Sequence, residues 1–107
     1  MNKTASKLVT ITTEAVLETT LLAEIEALGA PGYTVTDVRG KGSRGRRDAG
    51  WAPHANIRID VVCDVATAEA LCQSLSDRYG ANYPMLITLA DVTSWCPARP
   101  AAKRQAQ

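Results

Sequence analysis

The sequence predicts an α+β sandwich of four strands and two helices in the order βαββαβ. Three observations predict it. Short runs rich in Val, Ile and Thr recur along the chain, and two longer stretches carry apolar residues at helical spacing. The third is size: 107 residues with 46% hydrophobic content suit one core of ordinary dimensions. With no Phe, that core must be built from Val, Leu, Ile and Ala.

Lys7 to Thr13 (KLVTITT) is β-branched and partly alternating, which marks a first strand. A helix is expected over Glu14 to Leu28. Leu17, Leu21, Ile25 and Leu28 recur on one face, Glu14 and Glu18 favour the positive N-terminal end, and Gly29 stops the run. After Ala30-Pro31-Gly32 comes a second strand, Tyr33 to Arg39. The third is the clearest alternation in the chain, with Ile57, Ile59 and Val61 on one face and Arg58, Asp60 and Val62 on the other. Asp64 then caps a second helix whose buried stripe is Val65, Ala68, Leu71, Cys72, Leu75 and Tyr79, and Gly80 and Asn82 end it. Pro84 to Val92 is the last strand.

This order is that of the ferredoxin-like sandwich, with both helices on one sheet face. Apolar residues stand on both faces of the strands, and too few residues remain for another layer. The second face is therefore expected to be buried by neighbouring subunits in a homo-oligomer. The folded domain is expected over residues 1–96, with a loop at 40–54 and a disordered tail at 97–107 (PARPAAKRQAQ).

Twelve Lys and Arg against eleven Asp and Glu give a net charge of +1, which excludes a globally basic nucleic-acid coat. The distribution is uneven. Arg39, Lys41, Arg44, Arg46 and Arg47 crowd one Gly-rich segment, and Arg99, Lys103 and Arg104 lie in the tail. Apolar runs are too short to span a bilayer and the start, MNKTASK, lacks a secretory signal's apolar stretch, so a cytoplasmic protein is expected. Cys63, Cys72 and Cys96 have neither disulfide-framework nor zinc-site spacing, and Cys63 and Cys72 read as small buried hydrophobes.

Gly40-x-Gly42-x-x-Gly45 matches the dinucleotide fingerprint, yet Trp51-Ala52-Pro53-His54 leads to a strand rather than a helix, and the Rossmann reading fails. What survives is its physics. Glycines let backbone N–H groups converge on an anion, and Lys41, Arg44, Arg46 and Arg47 supply charge-assisted hydrogen bonds. The arginines favour a phosphate or carboxylate. A single-stranded RNA module of this fold would carry aromatics on its central strands, and these strands carry none. Catalysis has little to stand on, since the one histidine, His54, has no paired nucleophile. Asp60, on an otherwise apolar strand, needs a hydrogen-bond donor, either a ligand hydroxyl or Arg58 of a neighbour.

The residues GYTVTDVRGKGSR, Gly32 to Arg44, resemble the strand and T-loop entry of the PII signal-transduction superfamily. With Arg47 three residues on, the segment is similar to its PII-like branch of inorganic-carbon metabolism, the SbtB-like and carboxysome-associated PII proteins. The resemblance implies a homotrimer with adenine nucleotides bound in intersubunit clefts. It places Gly32 and Thr34 at the adenine, and Gly40, Lys41, Gly42 and Ser43 at the ribose and phosphates. Arg44 and Arg47 fall on the phosphates, and Asp60 and Val62 on the third-strand lining. Gly80-Ala81-Asn82-Tyr83 stands where the larger family has a glycine-rich loop with a phosphate-binding lysine, which points to ADP, AMP or cyclic AMP over ATP.

Bicarbonate is implied as a second ligand, with Lys41 and Arg46 as its candidate residues. A bicarbonate transporter or carboxysome component is implied as partner. The expectation is a non-enzymatic regulatory sensor that controls inorganic-carbon uptake or carboxysome function, with no nucleic acid, metal or required cofactor. The alternatives are a nucleotide-hydrolysing enzyme of the same fold and a single-stranded RNA-binding module.

Overall fold

The computed structural model describes residues 2–40 and 55–96. The expected loop beyond Gly40, with Lys41, Gly42, Ser43, Arg44, Arg46 and Arg47, lies outside the described residues, as does the expected tail. The elements follow in the expected order: β1 (Asn2–Glu14), a 3-10 turn (Ala15–Leu17), α1 (Glu18–Ala27), β2 (Thr34–Val38), β3 (Asn56–Cys63), α2 (Val65–Tyr79) and β4 (Met85–Cys96). One antiparallel sheet holds the strands in the spatial order β2-β3-β1-β4, the ferredoxin-like arrangement.

Strand alternation decides which face is buried. Register aligns Val35, Ile59, Ile11 and Ile87 in one row across all four strands, on the face that packs against the helices. Val9, Ile57, Val61 and Cys63 extend this floor, while Leu17, Leu21 and Ile25 from the first helical segment and Ala68, Leu71 and Leu75 from α2 close it. The helices are also tied to each other. Glu24 of α1 accepts from Ser74 Oγ at 2.6 Å and pairs with Arg78 at 3.4 Å, both on α2.

Boundaries differ from the sequence expectation for identifiable reasons. The first helix was expected from Glu14, but the β1 ladder holds that residue: Glu14 has extended backbone (φ −78°, ψ 141°) opposite Asn56, and the Ala15 N–H donates to the Ala55 carbonyl at 3.0 Å. The chain then enters α1 through the 3-10 turn, which still buries Leu17. β1 begins five residues before Lys7 and β4 runs four past Val92, because these ends pair with each other from Asn2–Cys96 to Ser6–Val92. β2 is shorter than Tyr33 to Arg39 by one residue at each end.

The caps behave as their residues require. Asp64 accepts from the Thr67 N–H at 2.8 Å, and that backbone hydrogen bond holds its carboxyl below the ordinary carboxylate range. A depressed folded value makes the cap's contribution full at neutral pH and lost in acid, as the folded carboxyl protonates. Gly29, after α1, has φ +88°. Gly29→Ala is expected to cost about 1–2 kcal/mol of stability, the penalty of a Cβ in the left-handed region, read from urea unfolding midpoints.

Candidate functional site

The sheet face away from the helices is open in a single chain. Its residues alternate with those of the core, so register alone sets them in rows. One row is polar across all four strands: Thr34 on β2 stands opposite Asp60 on β3, Asp60 opposite Thr10 on β1, and Thr10 opposite Thr88 on β4. The next row toward the C-terminal end of β3 is apolar, with Val62, Leu8 and Ala90 in line. On the other side Thr36, Arg58, Thr12 and Leu86 form a third. Val62 and Leu86 are exposed.

Asp60 anchors this face. Its Oδ1 accepts from Thr10 Oγ1 at 2.8 Å and its Oδ2 pairs with Arg58 Nε at 3.3 Å, the side chain remaining 26% exposed. Arg58 lies two residues away on the same strand, so both side chains rise on one side. The sequence had placed the donor on a ligand or on Arg58 of a neighbour; within the chain, Arg58 and Thr10 both serve. Two held oxygens fix the carboxylate's direction, and each retains acceptor capacity for a further donor.

Of the sequence-predicted residues the structure brings together Thr34 and Asp60, with Val62 beside Asp60 on the same face. Thr34 opens β2 opposite Asp60, and Gly32 precedes it by two residues, before the ladder begins. Gly40 is placed apart, six residues beyond Thr34 and past the far end of β2, at most about 20 Å away at 3.3 Å per extended residue. The candidate site therefore runs the length of the β2 edge. A Cβ at Gly32 or Gly40 would meet nothing within 4 Å in this chain. Thr10 and Arg58 join Asp60 here; from the sequence Arg58 was expected only as a neighbour's donor, and Thr10 was not selected. Strand alternation put Arg58 on the right face, whereas Thr10 needed the β1–β3 register.

A cleft of about 680 Å³ lies elsewhere, lined by Ala5, Ser6, Lys7, Asp64, Val65, Asp91, Val92 and Thr93. It contains none of the residues expected at the site. Lys7 and Asp91 face each other there as an ion pair. Among the described residues no cluster of three His, Cys, Asp or Glu side chains is arranged to hold a metal, and no described helix is long and apolar enough to cross a membrane.

Cys63 and Cys72 lie on the helix side of the sheet, and Cys96 ends β4. Cys63 is buried, Cys72 half-buried and Cys96 exposed, all free thiols. Burial pushes the Cys63 and Cys72 thiols up, helped by Asp64 beside the first and Glu69 beside the second. Native labelling with a disulfide reagent is expected to modify Cys96 at least about tenfold faster than the other two, since burial shields the Cys63 and Cys72 thiols and holds them protonated. Equal rates for all three would contradict this burial order.

The family model described as nitrogen regulatory protein P-II matches residues 6–98. A PII-like signaling protein from Thermus thermophilus is 37% identical, with 88% of this chain and 93% of that chain covered at a TM-score of 0.74. CPII from Thiomonas intermedia K12, a PII-like protein in a structure bound to ADP, AMP and bicarbonate, is 18% identical, covering 91% and 100% at a TM-score of 0.75. A DUF3240 family protein from Shewanella baltica OS155 shares the fold at 13% identity and a TM-score of 0.63, covering 90% and 97%.

Proposed function

The chain belongs to the P-II family, and from that premise we propose that it is a PII-like regulatory protein that binds ADP or AMP, with cyclic AMP as a further candidate, in clefts between three copies. The observation that carries this reading is the Thr34–Asp60 pair on the open sheet face, with Gly32 and Val62 beside it. In a single chain this is half a site. Val62 is 42% exposed and Thr34 is exposed, so a neighbouring copy laid on the open face would supply the missing wall and bury Val62 and Leu86. Open space at Gly32 and Gly40 admits a ligand's close approach to the backbone.

The roles divide by chemistry. Thr34 and Asp60 offer acceptors to the nucleoside's amino and hydroxyl hydrogens, and Val62 gives the base an apolar surface. Gly40, Lys41, Gly42, Ser43, Arg44 and Arg47 would take the ribose and phosphates, and Lys41 and Arg46 a bicarbonate. Support for bicarbonate comes from CPII, whose structures hold ADP with that ion. Anion capture by a cationic loop at the β2 end would alter the surface shown to a partner, a bicarbonate transporter or carboxysome component, in the cytoplasm.

The chain's role is non-enzymatic in this reading. Calorimetric titration with ADP, AMP, ATP and cyclic AMP, each with and without bicarbonate at fixed pH and ionic strength, tests it. ADP or AMP binding that bicarbonate strengthens is expected, because coupling between two ligands is reciprocal. No heat with any adenine nucleotide would overturn the reading. Phosphate release from ATP or ADP with magnesium would instead favour a hydrolase.

A further inference from the structure

We infer that residues 97–104 fold back over the helix side of the β1–β4 ribbon and dock in the cleft at the start of α2, held there by charge. This surface is apart from the proposed nucleotide site, and its occupation depends on no part of that reading. The cleft follows from unequal element lengths. β3 ends at Cys63, opposite Lys7, and the chain turns there through Asp64 into α2. β1 and β4 run on together for five more pairs, from Ser6–Val92 to Asn2–Cys96. Strand alternation puts Lys3, Ala5 and Lys7 of β1, and Asp91, Thr93 and Trp95 of β4, on the side of Val9, Ile11 and Ile87, the helix side. Lys3, Ala5, Thr93 and Trp95 stay exposed there, a floor that meets Asp64 and Val65 in the cleft of about 680 Å³.

Charge is the first reason to seat this segment there. Asp64 and Asp91 line the cleft against Lys7 alone, and Asp91, although paired with Lys7, is 85% exposed. Residues 97–104 carry Arg99, Lys103 and Arg104 and no acid. Opposite charge can hold a segment too polar to build a core of its own. Reach is the second. Lys103 stands seven residues past Cys96, up to about 23 Å of extended chain, whereas Asp91 is about 17 Å back along β4 from the same point.

The third is apolar surface. Trp95 is 61% exposed at the outer end of the floor and Val65 49% exposed at the inner end. Pro97-Ala98-Arg99-Pro100 has the proline spacing of segments that pack on aromatic rings. Pro97 also has no N–H to extend the ladder, so the chain is free to turn out of β4 at this point. Tethering favours this segment over a separate partner. Joined to the floor at Cys96, it meets the cleft at the effective concentration of a short linker, of millimolar order, so a few modest contacts suffice.

The test uses the whole chain carrying Trp51→Phe, in which Trp95 is the one tryptophan left, with and without Arg99→Glu, Lys103→Glu and Arg104→Glu together. Acrylamide quenching reads access to Trp95, and because acrylamide is uncharged the reversal does not itself alter its approach. Quenching is expected to be at least about twofold more efficient in the reversed protein, and to rise likewise in the parent at about 1 M salt, where charges are screened within about 3 Å. Backbone amide shifts of Ala5, Val65 and Thr93 should move on reversal while those of Ile11 and Ile59 in the core stay. Asp91→Asn, with the native segment, should release Trp95 in part. Equal quenching in the two proteins with the cleft amides unmoved would overturn the inference, and Trp95 equally shielded in both would assign its cover to another copy. A rise in quenching without movement at Ala5 and Val65 would overturn the cleft as the docking place.

Discussion

Replacing Arg44 and Arg47 together by alanine is expected to weaken ADP binding by about 3–6 kcal/mol, two charge-assisted contacts at roughly 1.5–3 kcal/mol each. At 1.4 kcal/mol per decade that is a loss of at least about a hundredfold. Thermal stability should stay within the small range typical of substitutions outside the core, since the described core is built without either residue. The pattern across ligands carries further information. Adenosine, which has no phosphate, should lose little, and ADP should lose at least as much as AMP. Calorimetry on the double variant checks this, and unchanged ADP affinity would move the phosphate site away from the loop.

The second large effect concerns stability. Ile59 sits fully buried at the centre of the row formed by Val35, Ile59, Ile11 and Ile87, under both helices. Ile59→Ala is expected to destabilise the domain by about 2–5 kcal/mol, lost transfer free energy plus the cavity left behind, whereas Ile59→Val should cost about 0.5–1.5 kcal/mol. The larger figure is a sizeable part of the roughly 5–15 kcal/mol typical of whole domains. Ile59 also lies between Arg58 and Asp60, so disorder at this position would reach the site directly. Denaturant unfolding of the two variants checks the ratio. An alanine variant as stable as the valine one would contradict the packing described for this row.

The fold was legible because burial writes itself into alternation. Ile57, Ile59 and Val61 could only be one face of a strand, and Leu17, Leu21 and Ile25 only one side of a helical segment. Where no burial shapes the sequence, the reading stopped short. Asn2 to Ser6 carry no apolar rhythm, because no residue of that stretch enters the core, and only the long-range pairing with Val92–Cys96 makes them a strand. The start of α1 was misplaced because Glu14 suits a helix's first turn as well as a strand's last residue. Pairing with Asn56, forty-two positions away, settled it.

The site divides in the same way. Arg58, Asp60 and Val62 share a side by alternation alone, but Thr34 comes opposite Asp60 through the β2–β3 register, and Thr10 reaches Asp60 through the β1–β3 register. No local pattern encodes those meetings. The Asp60 donor was sought outside the chain because the sequence shows neighbours along a strand, not across it. The basic segment at 41–47 was conspicuous by charge, and its chemistry could be argued from arginine geometry without any fold at all.

The most direct test of the central claim is a crystal structure of the protein grown with ADP and bicarbonate. Three copies are expected around one axis, with ADP between each adjacent pair, its adenosine beside Thr34, Asp60 and Val62 and its phosphates toward Arg44 and Arg47. ADP held within a single copy, or at a surface remote from the Thr34–Asp60 pair, would contradict the account.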